Sequence, residues 1–159
     1  MDKAREYRDA LGLYPTGVAL VTLVHDGSAR AMTINSFASV SLEPPLVLWS
    51  VARDSMRYKL FRDAEVFAIN ILAADQEGLA TACAQSDDLE AAGAKWTAGE
   101  DGAPLVDGAV ARLECVRDAV HPGGDHDIII GRVTGFDQPR RSPALVFHRS
   151  AYASADGAL

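Results

Sequence analysis

A mainly β chain is predicted, folded as an antiparallel barrel with a few peripheral helices. Three observations carry this. Short runs rich in Val, Ile, Leu and Thr outnumber the helical patterns. Turn-forming clusters separate neighbouring runs, HDGSA (25–29) and HPGGD (121–125) above all. The connections are also too short for the crossovers that parallel strands need, which argues against a doubly wound α/β sheet.

Each element follows from its residues. Ala4, Tyr7, Ala10 and Leu11 recur at helical spacing, and Asp2 is placed to cap a helix over 2–11 that Gly12 and Pro15 end. GVALVTLV and AMTINS are the first two strands, joined by the HDGSA hairpin. SVSLEPPLVLWSV adds extended chain. Residues 55–62 read as one or two helical turns with Ser55 as N-cap. EVFAINIL (65–72) is a buried strand, and AADQEGLATACA (73–84) a helix capped near Asp75. Residues 86–108 read as loop. AVARLECVRDAV alternates, with Leu113 and Cys115 on one face and Arg112 and Glu114 on the other. DIIIGRVTGF is its hairpin partner, and ALVFH is a last strand before a frayed tail.

Composition narrows the function. The 159 residues are 48% hydrophobic and 23% charged, a globular balance that argues against disorder. Twenty-two acidic against 15 basic residues give a formal charge of −7, which disfavours a nucleic-acid partner. No apolar run reaches the ~20 residues of a membrane span, and MDKAREYRDAL lacks the apolar stretch of a signal peptide. Cys83 and Cys115 are too few for a disulfide framework and lack metal-ligand spacing, so no metal site is expected. A single cytoplasmic domain over residues 1–159 is the expectation.

Three segments carry candidate chemistry. In AMTINSFASVS (31–41), Thr33, Asn35, Ser36, Ser39 and Ser41 alternate with apolar residues. That is either a half-exposed strand or a wall along a flat, heteroatom-rich ligand. In SVARDSMRYKLFR (50–62), Arg53, Arg57, Lys59 and Arg62 oppose one anion, Asp54. With Ser55 at a helix start, this is either a solvated face or a grip for a phosphate, to which Arg53 would add a charge-assisted bond. In HPGGDHDIII, His126 stands at the mouth of a strand, within reach of a bound ring. Cys115 reads as a small core residue, Trp49 as packing, and Trp96 as packing or interface. No GxGxxG, P-loop, HExxH or GxSxG motif is present.

The ordered series YPTGVALVTL, AMTINSFASVSLEPPLVLWSV, RDSMRYKLFRDAEVFAINILAADQEGLA, GDHDIIIGRV and VFHRSAY resembles the flavin reductase family of FMN-binding split barrels, from about Tyr7 to Tyr152. The resemblance implies a six-stranded Greek-key split barrel, a homodimer, and FMN or FAD reduced by NADH or NADPH for a partner flavin-dependent monooxygenase. It implies that Met32, Thr33, Asn35 and Ser36 border the flavin ring. Ser50, Ala52, Arg53, Ser55 and Met56 would hold the ribityl chain and phosphate. His126 would lie beside the nicotinamide as the catalytic residue, and His148, Arg149 and Tyr152 would help close the site. Thr81, Ala82 and Cys83, and the stretch Ser86–Lys95 without an aromatic, depart from the family pattern. A flavin-retaining oxidoreductase acting on an organic substrate, or a non-catalytic flavin-binding module, are the alternatives.

Overall fold

The computed structural model describes residues 2–156. Helix α1 (Lys3–Leu11) starts where Asp2 Oδ1 accepts the Ala4 N–H at 3.0 Å. After the two-residue β1 (Thr16–Gly17) come β2 (Ala19–His25) and β3 (Ser28–Ile34). They are joined by Asp26 and Gly27, whose positive φ angles of 49° and 76° match the right-handed twist of a tight hairpin. β4 (Ala38–Leu42) and β5 (Pro45–Ala52) form a second hairpin, followed by α2 (Tyr58–Asp63) and β6 (Val66–Ile71). A 3₁₀ turn (Ala74–Gln76) leads into α3 (Glu77–Gln85). The rest is β7 (Trp96–Ala98), β8 (Pro104–Val106), β9 (Ala111–Gly123), β10 (His126–Asp137), β11 (Leu145–His148) and β12 (Ala151–Ser154).

The main sheet has seven strands in the order β3-β2-β6-β9-β10-β5-β4, every neighbour antiparallel. A six-stranded Greek-key split barrel was expected. The ladder instead stays open between β3 and β4, because β4 returns along the far edge of β5. The sheet nevertheless curls around one core, in which Val21, Met32, Trp49, Phe67, Ile69, Cys115 and Ile129 meet from six strands. The Trp49 and Phe67 rings lie edge to face, 5.9 Å apart. The aromatic ring of Phe67 seats over Gly131, where a Cβ would stand 2.7 Å from Phe67 Cζ.

A second cluster on the outer face packs Val18, Leu20 and Ala31 against Ala80, Cys83, Leu89, Val106 and Leu145. Five consecutive residues of β2, from Ala19 to Leu23, are therefore buried, since both faces of the strand are covered. Three features depart from the sequence reading. Residues 86–108 are anchored by Leu89 and by the β7–β8 hairpin, whose Val106 N–H donates to buried Asn70. The tail is not frayed up to Ser154, because β12 pairs with β11 through a two-residue turn. Asp75 caps nothing: it pairs with Arg140, while Gln76 Oε1 accepts the Ala73 N–H at 3.0 Å. Cys83 and Cys115 are buried and free, their thiols pushed up by burial to about 11 and about 12, which suits core packing.

Candidate functional site

Strand alternation builds the site. In β5, Trp49 and Val51 face the core, which turns Ser50 and Ala52 to the opposite face. The register pairs Ala52 with His126 and Ser50 with Ile128, and opposed residues share a face. These four side chains form one floor. The facing wall is the end of β3 and the residues after it, where Ser36 Oγ accepts the Ser50 N–H at 2.9 Å and ties the wall to the floor. Thr33 anchors the wall from behind, its hydroxyl donating to the Ala80 carbonyl of α3 at 2.6 Å.

The result is a cleft of about 470 Å³. It brings together Met32, Thr33, Asn35, Ser36, Ser50, Ala52, Ser55 and His126, all expected from the sequence, and adds Ile34, Val51, Gly123 and Ile128. Tyr152 and Phe147, with ring centroids 5.4 Å apart, border a smaller hollow of about 160 Å³ on the other side of Thr33 and Asn35. His148 and Arg149 line neither space. Arg149 is exposed in the β11–β12 turn at φ 51°, its N–H donating to the Gly12 carbonyl. Met56 is fully exposed and borders a separate depression with Val24 and Lys59.

The basic cluster is rearranged relative to expectation. The helix begins at Tyr58, so Ser55 is not its N-cap; Ser55 Oγ instead accepts the Arg57 N–H at 3.2 Å in the preceding turn. Arg53, one step past Ala52, falls on the core side of the strand. Its Nε and Nη2 donate to the buried carboxylate of Asp127 at 3.0 and 2.7 Å, so its guanidinium does not line the cleft. Tyr58 donates its hydroxyl to the same carboxylate, and Arg62 approaches at 3.6 Å. Arg57 is no solvated cation either: its guanidinium donates to backbone carbonyls.

At the cleft mouth, His126 Nδ1 lies 2.7 Å from Asp125 Oδ1, and this contact holds the Asp125 carboxyl below its usual value. The Arg53 N–H donates to the Asp125 carbonyl at 2.9 Å, fastening the β9–β10 tip to the end of β5. The Asp127 network was not visible in the sequence, since it needs three elements to converge. Ile128 was foreseeable, two residues beyond His126 on an alternating strand.

Asp127 supplies a pH prediction. The Tyr58 hydroxyl and the Arg53 guanidinium hold its carboxyl below the usual carboxylate range. Its contribution is thus complete above the ordinary value of about 4 and is lost as pH falls through the lower, folded value. Asp127→Asn is expected to flatten the fall in Tm between neutral pH and about pH 3. An acid limb as steep as that of the parent chain would show that other carboxylates control it.

The donor set fits a flavin. Hydroxyls of Ser36, Ser50 and Ser55 and the amide of Asn35 offer hydrogen bonds to a heteroatom-rich ring edge and a polyol, while Ala52 and Ile128 offer apolar contact to its faces. Residues 11–156 match the family described as flavin reductase like domain. The chain is 45% identical over 136 residues to the FMN reductase (NADH) SmoA of Agrobacterium fabrum, covering 83% of this chain and 75% of that protein. It is 34% identical to the flavin-dependent monooxygenase reductase subunit HsaB of Rhodococcus jostii, over 96% of this chain and 78% of that one. Among solved structures, the NADH:FAD oxidoreductase SgcE6 of Streptomyces globisporus C-1027, in complex with NAD and FAD fragments, superimposes with a TM-score of 0.87. That match has 37% identity and covers 96% of this chain and 92% of the other. By sequence match and by fold, this chain belongs to the flavin reductase like domain family.

Proposed function

We propose that the chain is an NAD(P)H-dependent flavin reductase that supplies reduced FMN or FAD to a flavin-dependent monooxygenase. The observation that carries this is the gathering of Met32, Thr33, Asn35, Ser36, Ser50, Ala52, Ser55 and His126 around one cleft. The relatives named as NADH-dependent and as a monooxygenase reductase subunit support the same reading. A bound flavin supplies the electron sink that takes hydride from the nicotinamide. The protein's part is orientation: Ser36 and Thr33 hold the ring wall, Ser55 meets the phosphate, and His126, steadied by Asp125, positions the nicotinamide. None of these roles requires a general acid.

The chain works as one domain and as a cytoplasmic homodimer. Support for the dimer comes from α1, which buries none of its residues, and from Tyr7, Leu11, Leu13 and Tyr14, all more than half exposed. Val40 and Leu42 on the edge strand β4 and Phe136 add further uncovered apolar surface. No helix among the described residues is long and apolar enough to cross a membrane.

The test is nicotinamide oxidation in air, with NADH and NADPH each paired with FMN, FAD and riboflavin. Turnover that rises with added free flavin is the expected result. Flavin binding without turnover would identify a carrier, and slow turnover with retained flavin an oxidoreductase of another substrate. In the same assay His126→Ala is expected to raise the KM for the nicotinamide about tenfold while flavin affinity stays within about twofold. An unchanged KM would remove His126 from the site.

A further inference from the structure

Arg57 belongs to neither the core nor the cleft lining, yet it bonds both to Ser55, which lines the cleft, and to the β3 backbone beside Met32. Through its backbone N–H it donates to Ser55 Oγ at 3.2 Å. Through its guanidinium it reaches β3, with Nη1 donating to the Ala31 carbonyl at 3.3 Å, one residue before Met32. The same guanidinium covers the end of α3, where Nη1 meets the Cys83 carbonyl at 2.7 Å and Nη2 the Ala84 carbonyl at 2.8 Å. The last carbonyls of a helix have no partners within it, and a cation there also meets the negative end of the helix dipole. The guanidinium meets these carbonyls from two nitrogens held in one rigid plane, a fork that an ammonium, a point charge on a flexible stem, does not reproduce.

Around this contact the chain is laced together. The Ala31 N–H donates to the Asp87 carbonyl at 2.8 Å and the Leu89 N–H to the Ala29 carbonyl, so residues 86–89 run along the outer edge of β3. Thr33 is tied to Ala80. The strand wall, α3 and the 86–89 segment therefore form one piece, and the turn carrying Ser55 is a second piece. Arg57 joins the two.

We infer that Arg57 is a positioning residue that fixes the distance between Ser55 and the β3 wall, and thereby sets selectivity for phosphorylated flavins. The inference rests on the proposed placement of the flavin phosphate at Ser55. It also gives a role to the end of α3, whose Cys83 and Ala84 carbonyls are the anchor that Arg57 grips.

The experiment compares equilibrium binding of FMN and of riboflavin, by quenching of flavin fluorescence, in the full chain and in Arg57→Gln, Arg57→Lys and Ser55→Ala variants. Both Arg57 variants are expected to weaken FMN about tenfold and riboflavin less than about threefold. General loosening of the fold would weaken both flavins alike, and that result overturns the inference. Full recovery of FMN affinity in Arg57→Lys overturns it too, since bare charge would then suffice. Should Arg57→Gln fold poorly, as read by its thermal transition, Arg57→Lys retains the charge and gives the same comparison. Ser55→Ala separates the placement of the phosphate from the positioning role of Arg57. An unchanged FMN-to-riboflavin ratio there removes the phosphate from Ser55. A fall there with no fall in the Arg57 variants overturns the positioning role alone.

Discussion

Ser55→Asp is expected to weaken FMN binding by a hundredfold or more while riboflavin binds almost as before. The substitution keeps the local turn, because a carboxylate oxygen also accepts the Arg57 N–H that Ser55 Oγ accepts now. It places a negative charge where the proposed phosphate would sit, and like charges in such close contact cost several kcal/mol. Riboflavin carries no phosphate and escapes the repulsion. Salt provides an internal check, since part of the FMN loss should shrink as ionic strength rises. Equal weakening of both flavins would locate the effect in the ring wall and leave the phosphate elsewhere.

Phe67→Ala carries the largest expected loss of stability. The ring is 1% exposed, stands edge to face with Trp49, and fills the space left open by Gly131. Truncation of a buried aromatic costs about 3–5 kcal/mol, the transfer of the ring plus the cavity it leaves. For a chain of this length that lowers Tm by roughly 10 °C. The measurement is thermal or denaturant unfolding; a shift of only a degree or two would mean that the curled sheet closes over the gap. Gly131→Ala is the reciprocal case. An added methyl 2.7 Å from Phe67 Cζ forces the ring or the strand to move, and overpacking of this kind costs about 1–3 kcal/mol.

What the sequence could convey was set by the range of the forces involved. Hairpins are local, so the Asp26–Gly27 turn and the β9–β10 pairing were legible from turn residues and alternation. The polar stripe in 31–41 was legible because period-two spacing survives in any strand. Strand order was not, since β6 inserting between β2 and β9 depends on contacts far apart along the chain. The same limit explains Arg53. Its position after Ala52 suggested a phosphate ligand, but its direction is decided by Asp127, 74 residues away and brought near only by the β5–β10 register. Met56 lies apart from the cleft for a simpler reason: it is fully exposed in the turn before α2. Ser55 lines the cleft as a member of a turn and not as the helix cap that its position suggested.

The two buried clusters have a further consequence for how the protein is used. Of the cleft residues, only Met32, Ile34 and Val51 also belong to the cores; the others are at least partly exposed, on strands or on the turns that follow them. Cohesion and recognition are thus assigned largely to different residues of the same sheet. A molecule arriving in or departing from that cleft disturbs few of the contacts that keep the chain folded. Such a surface suits cargo that is picked up, altered and handed on many times, with the scaffold unchanged between loads.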